Sequence, residues 1–243
     1  MENDINEPFL HYKDNEENND YDLKIAEKIR EGFISKVYGI IAFQIVITSI
    51  IVYFGMVNSS FQEILLKSIF MRYFCLFISL ICILLPLCSP NIFRSVPTNY
   101  IVLIIFTCAY SWDVAAITCT YTPSSVLACL FLTFVVVITL SIYAWKTQDD
   151  FTIIGGTLLV SLVLLIFSSI ILIFISIPLF NIIILYASLI IFCIYLIYDT
   201  QLLCGKGRVK FSEDDYILAA INIYLDIIIL FLKILQIFGS KNE

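Results

Sequence analysis

The feature that most constrains the fold is a 48-residue stretch, Phe151 to Tyr198, that contains no Asp, Glu, Lys, Arg or His. A single helix of that length would be about 70 Å long, more than twice the hydrocarbon thickness of a bilayer. The stretch is therefore predicted to form two membrane-spanning helices, joined by a turn at the sequence SIPLFN, residues 176–181. A chain that carries such a stretch is expected to be an integral membrane protein, with the lipid bilayer as its surroundings.

Five further spans are predicted in the rest of the chain, because hydrophobic residues make up 60% of the sequence and charged residues only 14%. Each is a mostly apolar run of about 20 residues, the length needed to cross a bilayer. They are placed at residues 37–57, 73–88, 100–121, 124–145 and 216–238. The predicted fold class is therefore an all-α polytopic membrane protein, a bundle of seven transmembrane helices.

The start of the chain differs from the rest. Residues 1–31 hold ten acidic residues against four basic ones, which accounts for the whole net charge of -6. Such a segment has too few apolar groups to offset its ordering entropy, so residues 1–31 are predicted to be a disordered tail and residues 32–243 the transmembrane domain. Basic residues of short loops mark the cytosolic side; nine lie on the side of the tail, whereas the short loops opposite hold Lys67 and Arg72. The N-terminus is therefore predicted to be cytosolic.

The residue types present exclude several kinds of site. His11 is the only histidine and lies in the tail, which excludes a histidine metal site or Ser-His catalysis within the membrane. The eight cysteines fall in or beside apolar runs without metal-ligand spacing and are interpreted as packing residues. No glycine-rich phosphate loop or basic nucleic-acid stripe occurs. We therefore expect no cofactor, no nucleic-acid partner and no enzymatic activity.

Two aspartates stand out because apolar residues surround them. Asp199 follows the charge-free stretch in IYLIYDTQ, near the cytosolic end of the sixth span, and Asp226 lies in INIYLDIIILFLKIL. Asp226 is about 15 Å into the seventh span and has no easy route to water. An ionised carboxylate at the bilayer centre costs about 3 kcal/mol or more, so such residues face the bundle interior and mark functional sites. Both aspartates are predicted to be site residues.

Helical spacing places three other polar residues. Asn222 shares a face with Asp226, which gives the last helix a polar stripe suited to the middle of a bundle. Lys233 lies about two turns further along and is predicted to reach the interface with its long side chain. Asp113, in the third span, is expected either to line an ion pathway or to hydrogen-bond a neighbouring helix.

Five segments of the chain occur together in one known family. They are FISKVYGIIAFQIVITSI, VPTNYIVLIIFT, YAWKTQDDFTIIGGTL, LIYDTQLL and SEDDYILAAINIYLDIIILFLKIL. In this order, between residues 33 and 238, they resemble the transmembrane Bax inhibitor motif family, specifically its lifeguard branch. The resemblance implies outer helices around a central C-terminal helix. It also implies a pH-sensitive calcium leak from the endoplasmic reticulum or Golgi that restrains cell death.

The resemblance also implies roles for individual residues. The paired aspartates of the last two helices form a proton-sensing pair in that family, and the matching positions are Asp199 in YDTQ and Asp226 in YLDI. Lifeguard members often carry an acidic residue after FT in the third span, where this chain has Tyr110, with Asp113 on the same face. Bacterial relatives latch the pair with an arginine of the second span. The candidate for that counter-charge is Arg72, which lies near the opposite surface.

Elementary chemistry agrees with a sensing role. Two carboxylates in contact in a low-dielectric site are expected to share a proton and to titrate as a pair. When both are ionised, Asp199 and Asp226 offer hard oxygen ligands to Ca²⁺, and Asn222, Thr200, backbone carbonyls and water would complete a loose, transient set. A leak requires such weak binding. Calcium is therefore expected as the permeant ion and not as a resident metal.

Two other functions stay open. An intramembrane aspartyl protease would use the same shared-proton chemistry, although the Gly-x-Gly-Asp and Pro-Ala-Leu motifs of those enzymes do not occur in this sequence. A non-conducting scaffold that acts through apoptosis-regulating membrane proteins would use the tail and the seventh helix as contact surfaces.

Overall fold

A computed structural model describes residues 7–175 and 177–242, without the side chains of residues 7–20, 87 and 90. These ranges form eight α-helices and no named strand. The helices are α1 (Glu7–Val57), α2 (Ser59–Lys67), α3 (Ile69–Cys88), α4 (Thr98–Thr118), α5 (Pro123–Lys146), α6 (Gly155–Phe174), α7 (Pro178–Cys204) and α8 (Tyr216–Phe238).

Seven of these helices are long and apolar enough to cross a membrane, which confirms the seven predicted spans. The exception is α2, a nine-residue helix that the sequence analysis treated as a loop. Asn58 caps it by accepting a hydrogen bond from the backbone N–H of Phe61. Its one fully buried residue, Leu65, packs in a cluster with Ala115 of α4. A helix this short depends on such packing and carries no spanning signal of its own.

Helix α1 is longer than the predicted first span, because it begins at Glu7 and continues without a break through residue 31. Residues 1–6 of the predicted tail lie outside the described residues. Disorder of the tail stays a prediction.

The charge-free stretch divides as predicted. Helix α6 ends at Phe174 and α7 begins at Pro178, so α7 already includes most of the predicted turn at 176–181, whose first residue lies outside the described ranges. Proline is well suited to the first turn of a helix, because its missing N–H would have no helical partner there.

Helix α8 lies at the centre of the bundle. It packs against α1, α4, α5 and α7, and thirteen of its 23 residues are buried. At its N-terminal end, Arg94 pairs with Asp215, the residue before α8. Beyond its C-terminal end, the carbonyl of Ser240 accepts a hydrogen bond from the backbone N–H of Thr122 at 2.8 Å. Helix α8 therefore crosses the whole bundle, and the predicted central C-terminal helix is confirmed.

Two names are used below for the ends of the bundle. The loop end carries Arg94, Asp150 and the α7–α8 loop, residues 205–212. The α2 end carries α2 and the α4–α5 turn.

Candidate functional site

Asp199 of α7 and Asp226 of α8 meet inside the bundle. Asp199 and Asp226 are 5% and 4% exposed, and their carboxyl groups lie within hydrogen-bonding reach of each other. Ionised carboxylates only accept hydrogen bonds, so a hydrogen bond between the two requires a proton on one of them. The second oxygen of Asp226, Oδ2, is buried without a partner. The pair thus places two acids in contact with each other inside an apolar bundle.

Arg30 fixes the end of α7 that carries Asp199. Its Nη1 donates to the carbonyl of Phe211 at 2.7 Å and its Nη2 to the carbonyl of Leu202, three residues after Asp199. Helix α7 ends at Gly205 in the left-handed region, at φ 70°, and a Cβ there would lie 2.9 Å from Arg30 Nε. Glycine is therefore required at this position both for its backbone conformation and for the space that the guanidinium occupies.

A second set of hydrogen bonds holds the other side of α7. Gln201 accepts from the backbone N–H of Phe151 and donates to the carbonyl of Asp149, both at 2.8 Å. Asp150 accepts from Thr152 Oγ1 at 2.6 Å and from the N–H of Arg208 at 3.1 Å. These hydrogen bonds, that of the Thr152 hydroxyl foremost, lower the pKa of Asp150. The loop between α7 and α8 is therefore tied to the α5–α6 connection.

A cavity of about 390 Å³ opens at the loop end between α1, α5 and α7. Its lining includes Glu27, Glu31 and Lys206 as well as Arg30, and it reaches Thr200, the neighbour of Asp199. The hydroxyl oxygen of Thr200 is buried without a partner. The cavity therefore leads from a charged mouth to the residue beside the carboxyl pair. The sequence analysis missed this mouth because its α1 residues belong to the predicted tail.

Uncharged polar residues surround the α8 segment that carries Asp226. Thr48 Oγ1 forms two hydrogen bonds, one with Tyr224 OH at 2.7 Å and one with Ser111 Oγ at 2.8 Å. One turn away, Gln44 Nε2 donates to Thr107 Oγ1 at 3.0 Å. These buried bonds join α1, α4 and α8. No sequence signal separates them from other Ser, Thr and Tyr residues of the spans.

Three other predicted residues make no hydrogen bond with the pair in the described part of the chain. Two of them, Asn222 and Lys233, are half-buried on α8. Arg72 Nη2 donates to the carbonyl of Leu65 at 3.5 Å, and its charge acts on Asp113. Arg72 therefore belongs to the α2 end, as its position in the sequence suggested.

The donor set does not fit a resident metal ion. No group of three or more His, Cys, Asp and Glu residues within ranges 7–175 and 177–242 could hold a metal. Ca²⁺ usually takes six to eight oxygen ligands, and the pair supplies at most four. The arrangement suits proton sharing and brief contact with a passing cation.

Known proteins resemble this chain over most of its length. Residues 30–243 match the model of a family described as "Inhibitor of apoptosis-promoting Bax1". "Protein lifeguard 3" of Homo sapiens is 33% identical over 219 residues, which cover 88% of this chain and 70% of that protein. The Mus musculus protein of the same name is 32% identical over 88% of this chain and 71% of its own length. "BI1-like protein" of Arabidopsis thaliana is 34% identical over 89% of this chain and 83% of its own length.

Proposed function

This chain belongs to the Bax inhibitor family, and from that premise we propose that it is a pH-sensitive calcium leak channel of an intracellular membrane. The membrane is that of the endoplasmic reticulum or Golgi, with the loop end and the N-terminus in the cytosol. By keeping the calcium content of the store low, the leak restrains cell death. The observation that carries the proposal is the buried, hydrogen-bonded pair of Asp199 and Asp226 beside a cavity that opens at the loop end.

The pair would act as the sensor through its shared proton. While the proton is present, it joins α7 to the central helix α8. When it leaves, two negative charges about 4 Å apart repel each other by about 4 kcal/mol at an effective dielectric constant of about 20. A repulsion of this size is enough to shift a two-state equilibrium between helix arrangements. Protonation of Asp199 and Asp226 thus sets which arrangement of α7 and α8 is populated.

The cavity would supply the cytosolic half of the ion route. Glu27 and Glu31 at its mouth offer oxygen ligands to a cation beside Arg30 and Lys206, and the unpartnered Thr200 hydroxyl at its inner end is an oxygen ligand next to the pair. When both aspartates are ionised, their oxygens replace part of the hydration shell of Ca²⁺. The small number of ligands keeps this binding weak, which release on the far side requires.

The test is calcium flux into dye-loaded liposomes that contain the purified protein, measured from about pH 5 to pH 8, where a perturbed carboxylate pair titrates. Asp226→Asn and Asp199→Asn should each remove or displace the pH step, and the double variant should do little more than one of them, because the two acids act as a unit. Asp214→Asn is the matched control, since it removes an exposed carboxylate at the same end.

Three outcomes would contradict the proposal. Additive effects of the two substitutions would mean that the acids do not share a proton. A wild-type flux that is flat across this pH range would exclude a sensor, and no flux at any pH would favour the scaffold function. Cleavage of a transmembrane peptide added to the same liposomes would favour a protease.

A further inference from the structure

A second cavity, of about 740 Å³, lies between α1 and α5, over α8. Buried residues of α8, Ile228 and Phe231, form its floor, and exposed residues of α1 and α5, Tyr53 and Phe134, form its rim. Because all three helices are long and apolar enough to span the membrane, the rim faces the hydrocarbon of the bilayer. The volume falls within the range of about 300 to 1,000 Å³ that small-molecule sites occupy. The cavity is therefore a ligand-sized space that opens sideways to lipid.

The lining of this cavity is mostly apolar. It contains no charged residue, and none of the buried unpartnered polar atoms in the described part of the chain belongs to it. Its two buried threonines turn their hydroxyl groups to their own helices. Thr48 Oγ1 donates to the carbonyl of Gln44 at 2.9 Å, and Thr133 Oγ1 donates to the corresponding carbonyl of α5 at 2.7 Å. A hydrated ion or a polar ligand would lose hydrogen bonds to water in such a space, whereas a hydrocarbon chain would not. The lining therefore favours a hydrocarbon occupant.

The cavity is as long as one leaflet of the bilayer is deep. It begins at the α2 end, where Val57 is the last residue of α1 and Pro123 is the first of α5. On α1 the lining continues to Ile45, about 18 Å away, and on α5 to Val137, about 21 Å away. Half of the hydrocarbon core is about 15 Å thick. The cavity thus extends from the membrane surface at the α2 end to just beyond the bilayer centre, which is the depth that a lipid acyl chain occupies.

The surface end of the cavity distinguishes between two kinds of membrane lipid. There the lining is Met56, Val57 and Pro123, which offer no side-chain hydrogen-bond partner to the hydroxyl group of a sterol. A phospholipid needs no such partner inside the cavity, because its polar head stays outside, at the interface with water. We propose that this cavity binds one acyl chain of a phospholipid from the leaflet at the α2 end.

The bound chain lies against the segment of α8 that carries Asp226. Ile227 and Ile228, the two residues after Asp226, line the cavity. Thr48 of α1 lines it too, and its hydroxyl group is the one that bonds Tyr224 at 2.7 Å. The acyl chain therefore fills the space beside the contact between α1 and α8. This inference does not depend on the proposed calcium leak.

Two phenylalanines of α5 offer a matched pair of reporter positions. Phe134 lines the cavity and Phe131 does not, although the two are similarly exposed, at 61% and 70%. The natural tryptophans are first replaced, as Trp112→Phe and Trp145→Phe, and one tryptophan is then introduced by Phe134→Trp or Phe131→Trp. Each protein is kept in detergent micelles, which dilute the lipid around it, and is titrated with phosphatidylcholine that is brominated midway along one chain. Bromine quenches tryptophan emission on contact.

Quenching should differ between the two positions. In the Phe134→Trp protein it should saturate at low lipid concentration, because the chain occupies a defined site, and unbrominated phosphatidylcholine should reverse it. In the Phe131→Trp protein it should stay weak and rise in proportion to the lipid. Val52→Phe adds a ring to the α1 side of the cavity and should weaken lipid binding to the Phe134→Trp protein at least about tenfold. Val46→Phe is the matched control: it makes the same change at an exposed position outside the cavity and should leave lipid binding unchanged.

Three outcomes would overturn the acyl-chain site. They are equal quenching at the two reporter positions, binding that Val52→Phe leaves unchanged, and quenching that a sterol reverses but unbrominated phosphatidylcholine does not. The comparison of the two reporter positions decides the matter alone if Val52→Phe does not fold. Calcium flux is measured separately in liposomes. A protein that binds the lipid here but does not leak calcium would overturn the proposed function and leave this site standing.

Discussion

The two ends of the bundle hold their charged side chains in different ways. At the loop end, Arg30 and Asp150 form hydrogen bonds with backbone atoms of the last turn of α7 and of the α7–α8 loop. At the α2 end, neither oxygen of Asp113 has a partner, and Arg72 reaches a carbonyl only at 3.5 Å. A bonded charge stabilises the fold, whereas a buried charge without partners destabilises it. The comparison indicates that the loop-end charges stabilise the fold, whereas the buried Asp113 at the α2 end does not.

The largest loss of stability is expected from Gly205→Ala. If this substitution left stability unchanged, it would contradict the structural role of the loop end. Alanine would have to adopt the left-handed backbone conformation of Gly205, and its Cβ would displace Arg30. We therefore expect a loss of about 3 kcal/mol of stability. Thermal unfolding in detergent measures it. Gly156→Ala is the matched control: open space surrounds Gly156 in α6, and this change should be neutral or slightly stabilising.

Arg30→Gln tests the same end without backbone strain. It removes charge-assisted hydrogen bonds to the carbonyls of Leu202 and Phe211 and should cost about 2 kcal/mol of stability. Because Leu202 lies one turn after Asp199, the variant should also alter the pH dependence of calcium flux. Lys28→Gln, an exposed change on the same helix, should alter neither quantity. Equal melting temperatures for the wild type, Arg30→Gln and Lys28→Gln would show that Arg30 does not stabilise the loop end.

At the α2 end, removing charges is not expected to lower stability. The double substitution Asp113→Asn and Arg72→Gln removes two charges without a direct bond between them, so stability should stay constant or rise by about 1 kcal/mol. The same thermal unfolding assay applies. A loss comparable to that of Arg30→Gln would show that the two charges form a stabilising pair after all.

The smallest effect concerns Asp150 and acid. Its pKa is lowered by the hydroxyl of Thr152 and the N–H of Arg208, so its contribution to stability is present above the ordinary aspartate pKa of about 4 and is lost as the pH falls through the lower folded value. The stability difference between wild type and Asp150→Asn should therefore shrink below about pH 4 and stay constant from about pH 5 to 8. A difference that instead changes near neutrality would assign part of the neutral pH response to the loop and not to the carboxyl pair.

The spans were predictable because each is a local property. A chain segment inside a bilayer must bond its own backbone and tolerate lipid, which makes it a helix of about 20 apolar residues. Helix α2 escaped prediction because its nine residues are held by Leu65 packing on Ala115. That contact joins residues fifty positions apart and leaves no pattern within the segment.

The candidate site was predictable in part for a similar reason. Asp199 and Asp226 were identified because each is isolated among apolar residues, but their hydrogen bond depends on how α7 and α8 pack. Arg30 was placed in the tail because its segment is acidic, and its partners follow about 170 residues later. The sequence contains no local sign of such a contact.

Helices α6 and α8 show which properties follow from the sequence and which follow from tertiary packing. Both are charge-poor and strongly apolar, and both were correctly predicted to span. One buries a single residue, Leu158, and the other is buried on most of its surface at the centre of the bundle. The sequence by itself determined the number of spans and the isolation of the two carboxyl groups, because the cost of placing a residue in lipid is a property of that residue. The tertiary structure decided which helix is central, which acids meet and which stay unpartnered, because burial and hydrogen bonding depend on neighbours that are distant in the chain.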